Sequence, residues 1–323
     1  MVRKVASVLA VVGCTSALCQ SAGPRSIVFV QEHARVVGGS TIWRPDIWTV
    51  NTDGSSLKRL SVDSTTDPPG YSNDPAWSPD GTKLVFVSEQ AGSQEGDLYV
   101  MDAVDSNGDL EGDNRTVLLT SPGEQYSPYW APDGATVTFV EEQAPTADLL
   151  QLKYPPSGPP TALVTGPEGD LEQEHSPDST RLVYVRGTSN SSRQIVVRTL
   201  ATGSEQSLTP KGIHQSPSFS PDGSRLVFSS AMQGNHIEIY VMDAVDGDGD
   251  GFGDNLLRLT NTPPNQCSGQ PKWSPDGTQI LFTHFPNAIS DPLGRDVYVM
   301  DASGAGATAV TTNHRSHSGR WKP

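Results

Sequence analysis

One short phrase recurs along this chain and constrains its fold more than any other feature. It reads Trp-Ser-Pro-Asp-Gly at Trp77–Gly81 and again at Trp273–Gly277. Trp130–Gly134 carries Ala in the second place, Phe219–Gly223 carries Phe in the first, and His175–Ser179 is a worn copy with His and Ser at its ends. Trp321-Lys322-Pro323 repeats the opening of the phrase. The first slots, at 77, 130, 175, 219, 273 and 321, stand 44 to 54 residues apart. A period of this length denotes an array of similar small units.

Each phrase sits in the same local pattern. An alternating apolar run follows it, as in Lys83–Ser88, Arg225–Ser230 and Gln279–His284. Period-two alternation of branched and aromatic residues predicts a half-buried strand. Pro-Asp-Gly is turn chemistry, because Pro presets one dihedral and Gly permits a positive one. The phrase is therefore a hairpin. A third strand is predicted at Asp97–Met101, Glu238–Met242 and Asp296–Met300, and a fourth ends at Leu119-Thr120, Leu208-Thr209 and Leu259-Thr260. Four strands per unit make a β-propeller blade. Ser26–Val30 reads as a second strand with no first, and Ser318–Pro323 as a first strand with nothing after it. Pairing the two closes a ring and removes open edges. The expectation is an all-β, six-bladed β-propeller of four-stranded antiparallel blades, closed by its C-terminal strand on the N-terminal blade. It occupies residues 23–323, after a leader at 1–22. The composition suits many turns and short strands, with 31 Gly, 26 Pro and only 35% hydrophobic residues.

These units, Trp-Ser-Pro-Asp-Gly followed by an apolar run and then a Tyr-Val-Met-Asp strand, resemble the six-bladed TolB-like propeller repeats of bacterial cell envelopes. The resemblance covers residues 25–323. It implies an envelope protein and a binding platform, because such propellers serve many roles and fold alone does not assign one. A separate α/β domain ahead of the propeller, as in the TolB component itself, is not expected here, which favours a stand-alone relative. Related propellers acting on acidic sugars place several His and a Gln around a cation. His214, His284, His317 and Gln270 are available for a metal-assisted lyase or hydrolase of that kind, the alternative reading.

The N-terminus reads as targeting sequence. Arg3 and Lys4 precede the apolar stretch Val5–Val12, too short to span a bilayer. Val11-Val12-Gly13-Cys14 resembles a lipoprotein cleavage box with Cys14 lipidated; the competing reading is ordinary secretion with cleavage near Ala17–Ala22. Either places the propeller outside the cytoplasm, in the periplasm, on the outer membrane as a lipoprotein, or secreted. Cys19 and Cys267 can pair in an oxidising compartment, or Cys19 can be free or cleaved away. The formal net charge of −15 opposes nucleic acid and anionic lipid as partners. No phosphate-binding Gly loop, Cys-x-x-Cys, His-Glu-x-x-His or Gly-x-Ser-x-Gly occurs. A monomer is expected.

Two blades carry an acidic insert between their third and fourth strands. Met242–Asn255 offers Asp246, Asp248 and Asp250 at alternate positions, then Gly251, the Phe252 carbonyl and Asp254. Met101–Asn114 offers Asp105, Asn107, Asp109, Glu111 and Asp113, with Leu110 in place of the bend glycine. Alternate oxygen ligands on a curled loop suit one hard cation, so structural Ca²⁺ is expected at both, more strongly at Asp246. Both resemble dockerin- or thrombospondin-type calcium loops. The Glu that closes an EF-hand loop is missing; its place holds Leu257. The bland reading of each is a solvated turn.

A four-stranded meander reverses at each turn, so the Pro-Asp-Gly turns and the acidic inserts share one face. The blade-to-blade connections and second-to-third loops share the other. Six of the seven histidines fall on that second face, His33, His236 and His284 by the loops and His214, His314 and His317 in the connections. Longer polar connections account for this without any function. The sharper reading is a central mouth lined by Asn73, Asp74, Tyr126, Glu172, His214, Gln215, Gln270 and His317, covered by a long loop at Glu32–Pro45. The aromatic slots and Tyr99, Tyr240 and Tyr298 read as core. The favoured function is a non-enzymatic module that binds an envelope protein, peptide or glycan through one face.

Overall fold

A computed structural model describes residues 24–63, 70–89, 96–143, 146–233, 236–286, 291 and 294–323. The leader at 1–22, with Cys14 and Cys19, lies outside the described residues. Among the described residues Cys267 has no disulfide partner. The described strands form six four-stranded antiparallel sheets. Five are meanders in chain order, with innermost strands Tyr71–Trp77, Glu124–Trp130, Asp170–His175, His214–Phe219 and Cys267–Trp273. We number these blades two to six.

Blade one is composite. Its second, third and fourth strands are Ser26–Val37, Ser40–Asn51 and Lys58–Arg59, and its innermost strand is Ser316–Trp321 from the other end of the chain. Ile27 lies opposite Trp321, and Val30 opposite His317. The closure expected from the two incomplete repeats is therefore the observed one.

The alternating runs are buried more deeply than expected. Leu84, Val85 and Phe86 are 0% exposed and Val87 is 4%, so neither face of this strand meets water. Leu84 and Phe86 pack with Val28, Ile47 and Leu60 of blade one. Val85 and Val87 pack with Trp130, Val137 and Phe139 of blade three. A strand sandwiched between two sheets presents both sides of its pleat to apolar neighbours. The same division recurs at the other interfaces, and the six apolar clusters each join two adjacent blades, including six to one. Tyr99 and Tyr240 belong to these clusters, as expected. The outermost strands are short, and the one at Glu205–Ser207 is fully exposed, which suits an edge.

Two expectations need correction or refinement. Glu32–Pro45 is not a loop: the strands of blade one continue to Val37 and resume at Ser40. Gly38 and Gly39 have φ of 58° and 85°, the two positive dihedrals of a two-residue hairpin turn whose twist matches the flanking strands. In blade four, Ser179 takes the place of the turn glycine and holds φ at 58°, close to Gly81 at 65°. His175 fills the aromatic slot there and is buried. The expected sorting of faces is seen directly. The Ala103 N–H donates to the Thr82 carbonyl at 2.9 Å and the Ala244 N–H to the Ser224 carbonyl at 2.8 Å, setting each acidic insert against a Pro-Asp-Gly turn.

The Trp321 indole joins Ile27, Phe29, Leu281 and Val297 in the cluster between blades six and one, and its Nε1 donates to the Lys272 carbonyl at 3.1 Å. Trp321→Ala should lower unfolding free energy by about 3–5 kcal/mol in urea melts followed by circular dichroism. A loss below about 1 kcal/mol would show that ring closure does not depend on this side chain.

Candidate functional site

The innermost strands break register at one place in every blade. The shift falls between Asn73 and Ala76, Tyr126 and Tyr129, Leu171 and Glu174, Gln215 and Ser218, and Gly269 and Lys272. In blade one it falls opposite Val28 and Val30. The residue three places before each slot has a left-handed backbone: Asp74 (φ 50°), Ser127 (50°), Glu172 (55°), Ser216 (51°), Gln270 (54°) and Ser318 (54°). A bulge of this kind re-aims a side chain out of the pleat. All six residues line a polar cavity of about 130 Å³ together with Gln173, Lys272 and Arg320.

Neighbouring blades are stitched at this level in an alternating pattern. The Ser127 N–H donates to Asp74 Oδ2 at 3.1 Å, and the Ser318 N–H donates to Gln270 Oε1 at 3.2 Å. The Ser216 N–H donates to Glu172 Oε2. A longer acceptor in blades two, four and six thus reaches a serine amide in the following blade. These bonds satisfy N–H groups that the bulge removes from the ladder.

Of the residues expected at the mouth, the structure brings Asp74, Glu172 and Gln270 together. The other five do not line this cavity. Tyr126 packs among apolar side chains between blades, and burial, with Glu142 nearby, pushes its hydroxyl up to about 12. His214 is 1% exposed, with Nε2 3.0 Å from the Pro210 carbonyl and Nδ1 3.0 Å from Ser230 Oγ. Burial brings its imidazole down to about 4, against the opposing effect of the Pro210 carbonyl. His317 is buried, with Nδ1 2.8 Å from Ser318 Oγ and Nε2 3.4 Å from a Glu32 oxygen. Asn73 and Gln215 are half-buried in the ladder, opposite Val87 and Ser229. The physical reason is the pleat: four and five places before the slot the strand is still regular, and its side chains enter the seams between blades. His284 bonds Ser268 at 3.3 Å. His214 and His284 are thus held by separate partners in blades five and six, whereas Gln270 and His317 share the Ser318 hydroxyl.

The residues missed were Ser127, Ser216 and Ser318, along with Lys272 and Arg320. A fixed offset from the slot would have found them all, since they sit three places or one place before it.

A second cavity, of about 380 Å³, lies toward the Pro-Asp-Gly face. The aromatic slots line it, as do the prolines two places beyond them, Pro79 to Pro323. The slot rings are core residues, 3–8% exposed, yet their rims form this wall. Its floor is the ring of residues directly before the slots: Ala76, Tyr129, Glu174, Ser218, Lys272 and Arg320. Lys272 Nζ lies 2.7 Å from Glu174 Oε2, and Ser218 Oγ and the Phe219 N–H each donate to Glu174 Oε1 at 2.9 Å.

The acidic inserts differ. Asp246, Asp248 and Asp254 bring carboxylate oxygens within 4.8 Å of one another, the one such group of three among the described residues. Gly249 and Gly251 N–H groups donate to Asp246 at 2.7 and 3.1 Å, and the Gly247 N–H donates to Asp254 at 2.9 Å, so the loop is curled by its own amides. Asp250 instead accepts from the Phe252 N–H at 2.8 Å. In the other insert, Asp105 lies 3.7 Å from Lys58 and Glu111 lies 3.5 Å from Arg115. Asp109 accepts from Asn107 Nδ2 and from the Glu111 N–H at 2.9 Å each, and Asp113 from the Ser106 N–H at 3.1 Å. Its acids are balanced by the protein's own donors. Three hard carboxylates make the Asp246 donor set fit for a calcium ion.

A family model described as the TolB beta propeller domain matches residues 159–323. The crystal structure of TolB from Acinetobacter baumannii superposes with a TM-score of 0.71 at 20% identity, covering 93% of this chain and 67% of that one. The structure of an oligogalacturonate lyase in complex with manganese superposes with a TM-score of 0.52 at 14% identity, covering 88% and 73%. Both show likeness of fold. A Protein TolB homolog of Chlorobium luteolum is 29% identical over 159 residues, 49% of this chain and 32% of that protein. A protein of Bacillus subtilis called uncharacterized peptidase YuxL is 29% identical over 170 residues, 49% of this chain and 22% of that protein. The matches therefore span a third or less of these two curated relatives.

The depressed His214 has a measurable consequence. Between its folded value of about 4 and the unfolded value near 6.5, the unfolded chain binds more protons, so stability falls as pH falls through that window. His214→Gln should flatten this part of the pH–stability curve by on the order of 3 kcal/mol in denaturant titrations at pH 7 and pH 4. An unchanged slope would show that His214 titrates alike in the folded and unfolded chain.

Proposed function

We propose that this chain, which belongs to the TolB β-propeller domain family, is a non-enzymatic extracytoplasmic module that binds an envelope protein, peptide or glycan at the polar end of its channel. The observation that carries this reading is the ring of six left-handed residues, Asp74 to Ser318, converging on one cavity. Their positions are set by backbone geometry shared by all blades, while their chemistry differs from blade to blade. That combination, a rigid frame with a few convergent polar groups, suits recognition. Beside the mouth, the blade-one hairpin is held against the second-to-third loop of blade six and the sixth-to-first connection. Arg295 lies 3.1 Å from Glu32, and the Arg315 guanidinium lies 4.6 Å from the Trp43 ring centre. The leader at 1–22 directs export, and a lipid on Cys14 tethers the monomeric propeller to a membrane.

Asp74→Asn combined with Glu172→Gln keeps both acceptor oxygens and removes both charges. Wild-type protein immobilised and exposed to envelope extract should retain a specific partner, and the double variant should retain at least tenfold less. Equal retention by the two proteins would overturn the assignment of this mouth.

Calcium in this reading is structural. It binds first at the Asp246 loop, where among the described residues no cationic side chain pairs with the three carboxylates, and more weakly at the Asp105 loop. Millimolar calcium should raise the melting temperature by about 2–4 °C over a chelated sample, as a site of about 0.1 mM affinity would. Asp248→Asn should remove most of the rise. A melting temperature indifferent to calcium would remove the ion from the account.

A further inference from the structure

The floor of the second cavity holds an imbalance of charge. Five of its six residues are neutral or paired. Lys272 and Glu174 form an ion pair at 2.7 Å, and the other Glu174 oxygen accepts from Ser218 and Phe219. The carboxylate is fully engaged. Arg320 has no carboxylate partner among the described residues. Its backbone carbonyl accepts from Trp77 Nε1 at 3.3 Å, and its guanidinium lies 5.7 Å from the Tyr129 ring centre across the channel. Its Nη1 is buried and has no hydrogen-bond partner. Burial and the Arg320 charge pull the Lys272 ammonium down to about 8, against the Glu174 carboxylate that raises it. Within the floor two cations thus share one engaged anion; the next carboxylates, Asp74 and Glu172, line the polar cavity on its other side.

An unpaired guanidinium in a narrow, mostly apolar tunnel is costly, and the cost is relieved by an anion that reaches it. The planar fork of Arg matches a carboxylate in two-point geometry. The walls say what such a carboxylate is attached to. Above Arg320 stand Trp77, Trp130, Phe219, Trp273 and Trp321, then a rim of prolines, around about 380 Å³ of space. That volume lies in the range of small-molecule sites, and its lining welcomes apolar matter. A hydrophilic dianion would gain the charge contact and lose its hydration against the rings. An acid with an apolar body gains both.

We propose that this funnel is a second binding site, which shares only the Lys272 and Arg320 floor with the polar mouth, and that it takes a monocarboxylate with an apolar body and seats the carboxylate on Arg320. The carboxylate arrives either on a free organic acid or as the C-terminus of a peptide ending in apolar residues. Arg320 is the recognising group, Lys272 adds its field from the neighbouring blade, and the slot rings hold the apolar part. The position of Arg320 in blade one makes the site dependent on ring closure, because the strand that brings it is the chain's last.

Calorimetric titration of the full chain separates the outcomes. The probes are 3-phenylpropionate and acetyl-Leu-Phe with a free C-terminus, each beside its primary amide. At least one acid should bind ten times more tightly than its amide. Preference for the peptide alone identifies a chain terminus as the ligand, and preference for phenylpropionate alone identifies a free acid. Arg320→Gln should abolish the preference, whereas Asp74→Asn with Glu172→Gln should leave it intact, so the fate of the polar mouth does not decide this one. Arg320→Met should keep or raise the melting temperature, since it removes a half-buried charge that has no carboxylate partner among the described residues. Acids and amides binding alike, no binding of either acid, or an acid preference that survives Arg320→Gln would overturn the proposal. A fall in melting temperature in Arg320→Met, with acid preference unchanged in Arg320→Gln, would assign Arg320 to stability instead.

Discussion

The structure depends on one constraint: the sheets are apolar on both faces. A sheet with one wet face can end a stack, but these cannot. The second strands give alternate side chains to the seams on either side, as Leu84 and Phe86 do toward blade one and Val85 and Val87 toward blade three. Every sheet therefore needs two neighbours, and six sheets satisfy that requirement only by closing a circle. The seam between blades six and one, with Trp321 against Ile27, Phe29 and Leu281, is built like the others although its parts are far apart in sequence. Loop-closure entropy grows slowly with length, so a covalent gap of this size is a modest cost beside a buried seam.

Closure turns sequence offsets into layers. Because the blades are equivalent, a given offset from the slot becomes a ring of six around the channel. Three places before lies the left-handed polar ring, one place before lies the floor that separates the two cavities, and the slots and prolines follow. The slot and proline layers are nearly uniform, as packing requires. The other two layers mix Asp, Glu, Gln and Ser, or Ala, Tyr, Glu, Ser, Lys and Arg. Chemistry enters where the repeat is free to vary without disturbing a seam.

The sequence carried the fold openly and the site only in part. Blade number, strand order and closure follow from the phrase and its spacing, because turn chemistry and pleat alternation are local. Burial on both faces was not legible, since alternation within Leu-Val-Phe-Val looks the same whether one side of a strand is covered or two. Of the residues expected at a central mouth, Asp74, Glu172 and Gln270 line the polar cavity. Tyr126, His214 and His317 were assigned there by proximity in sequence, but one step along a pleat separates a channel wall from an inter-blade seam. Nothing in a single repeat announces the bulge, which is a positive φ at Asp or Glu, or at Gln or Ser. Only the six copies laid over one another show that the residue three before the slot is always polar.

The charge of the chain also needs to be read by layer. The net charge of −15 sums the whole chain. Much of it is spent locally: Asp80, Asp178 and Asp222 each cap their own turn, held at about 2 first by a serine hydroxyl and then by the Thr82, Thr180 or Ser224 groups. The cations are placed where those acids cannot reach. Lys272 and Arg320 stand on the floor between the two cavities, where Glu174 is already engaged. Beyond about 10 Å, ordinary salt screens the exterior acids, so the field at the floor is set by its own three charges and by Asp74 and Glu172 of the adjoining polar cavity. An acidic surface that discourages stray anions, above a cationic floor walled by rings, admits by contact what it does not attract from a distance.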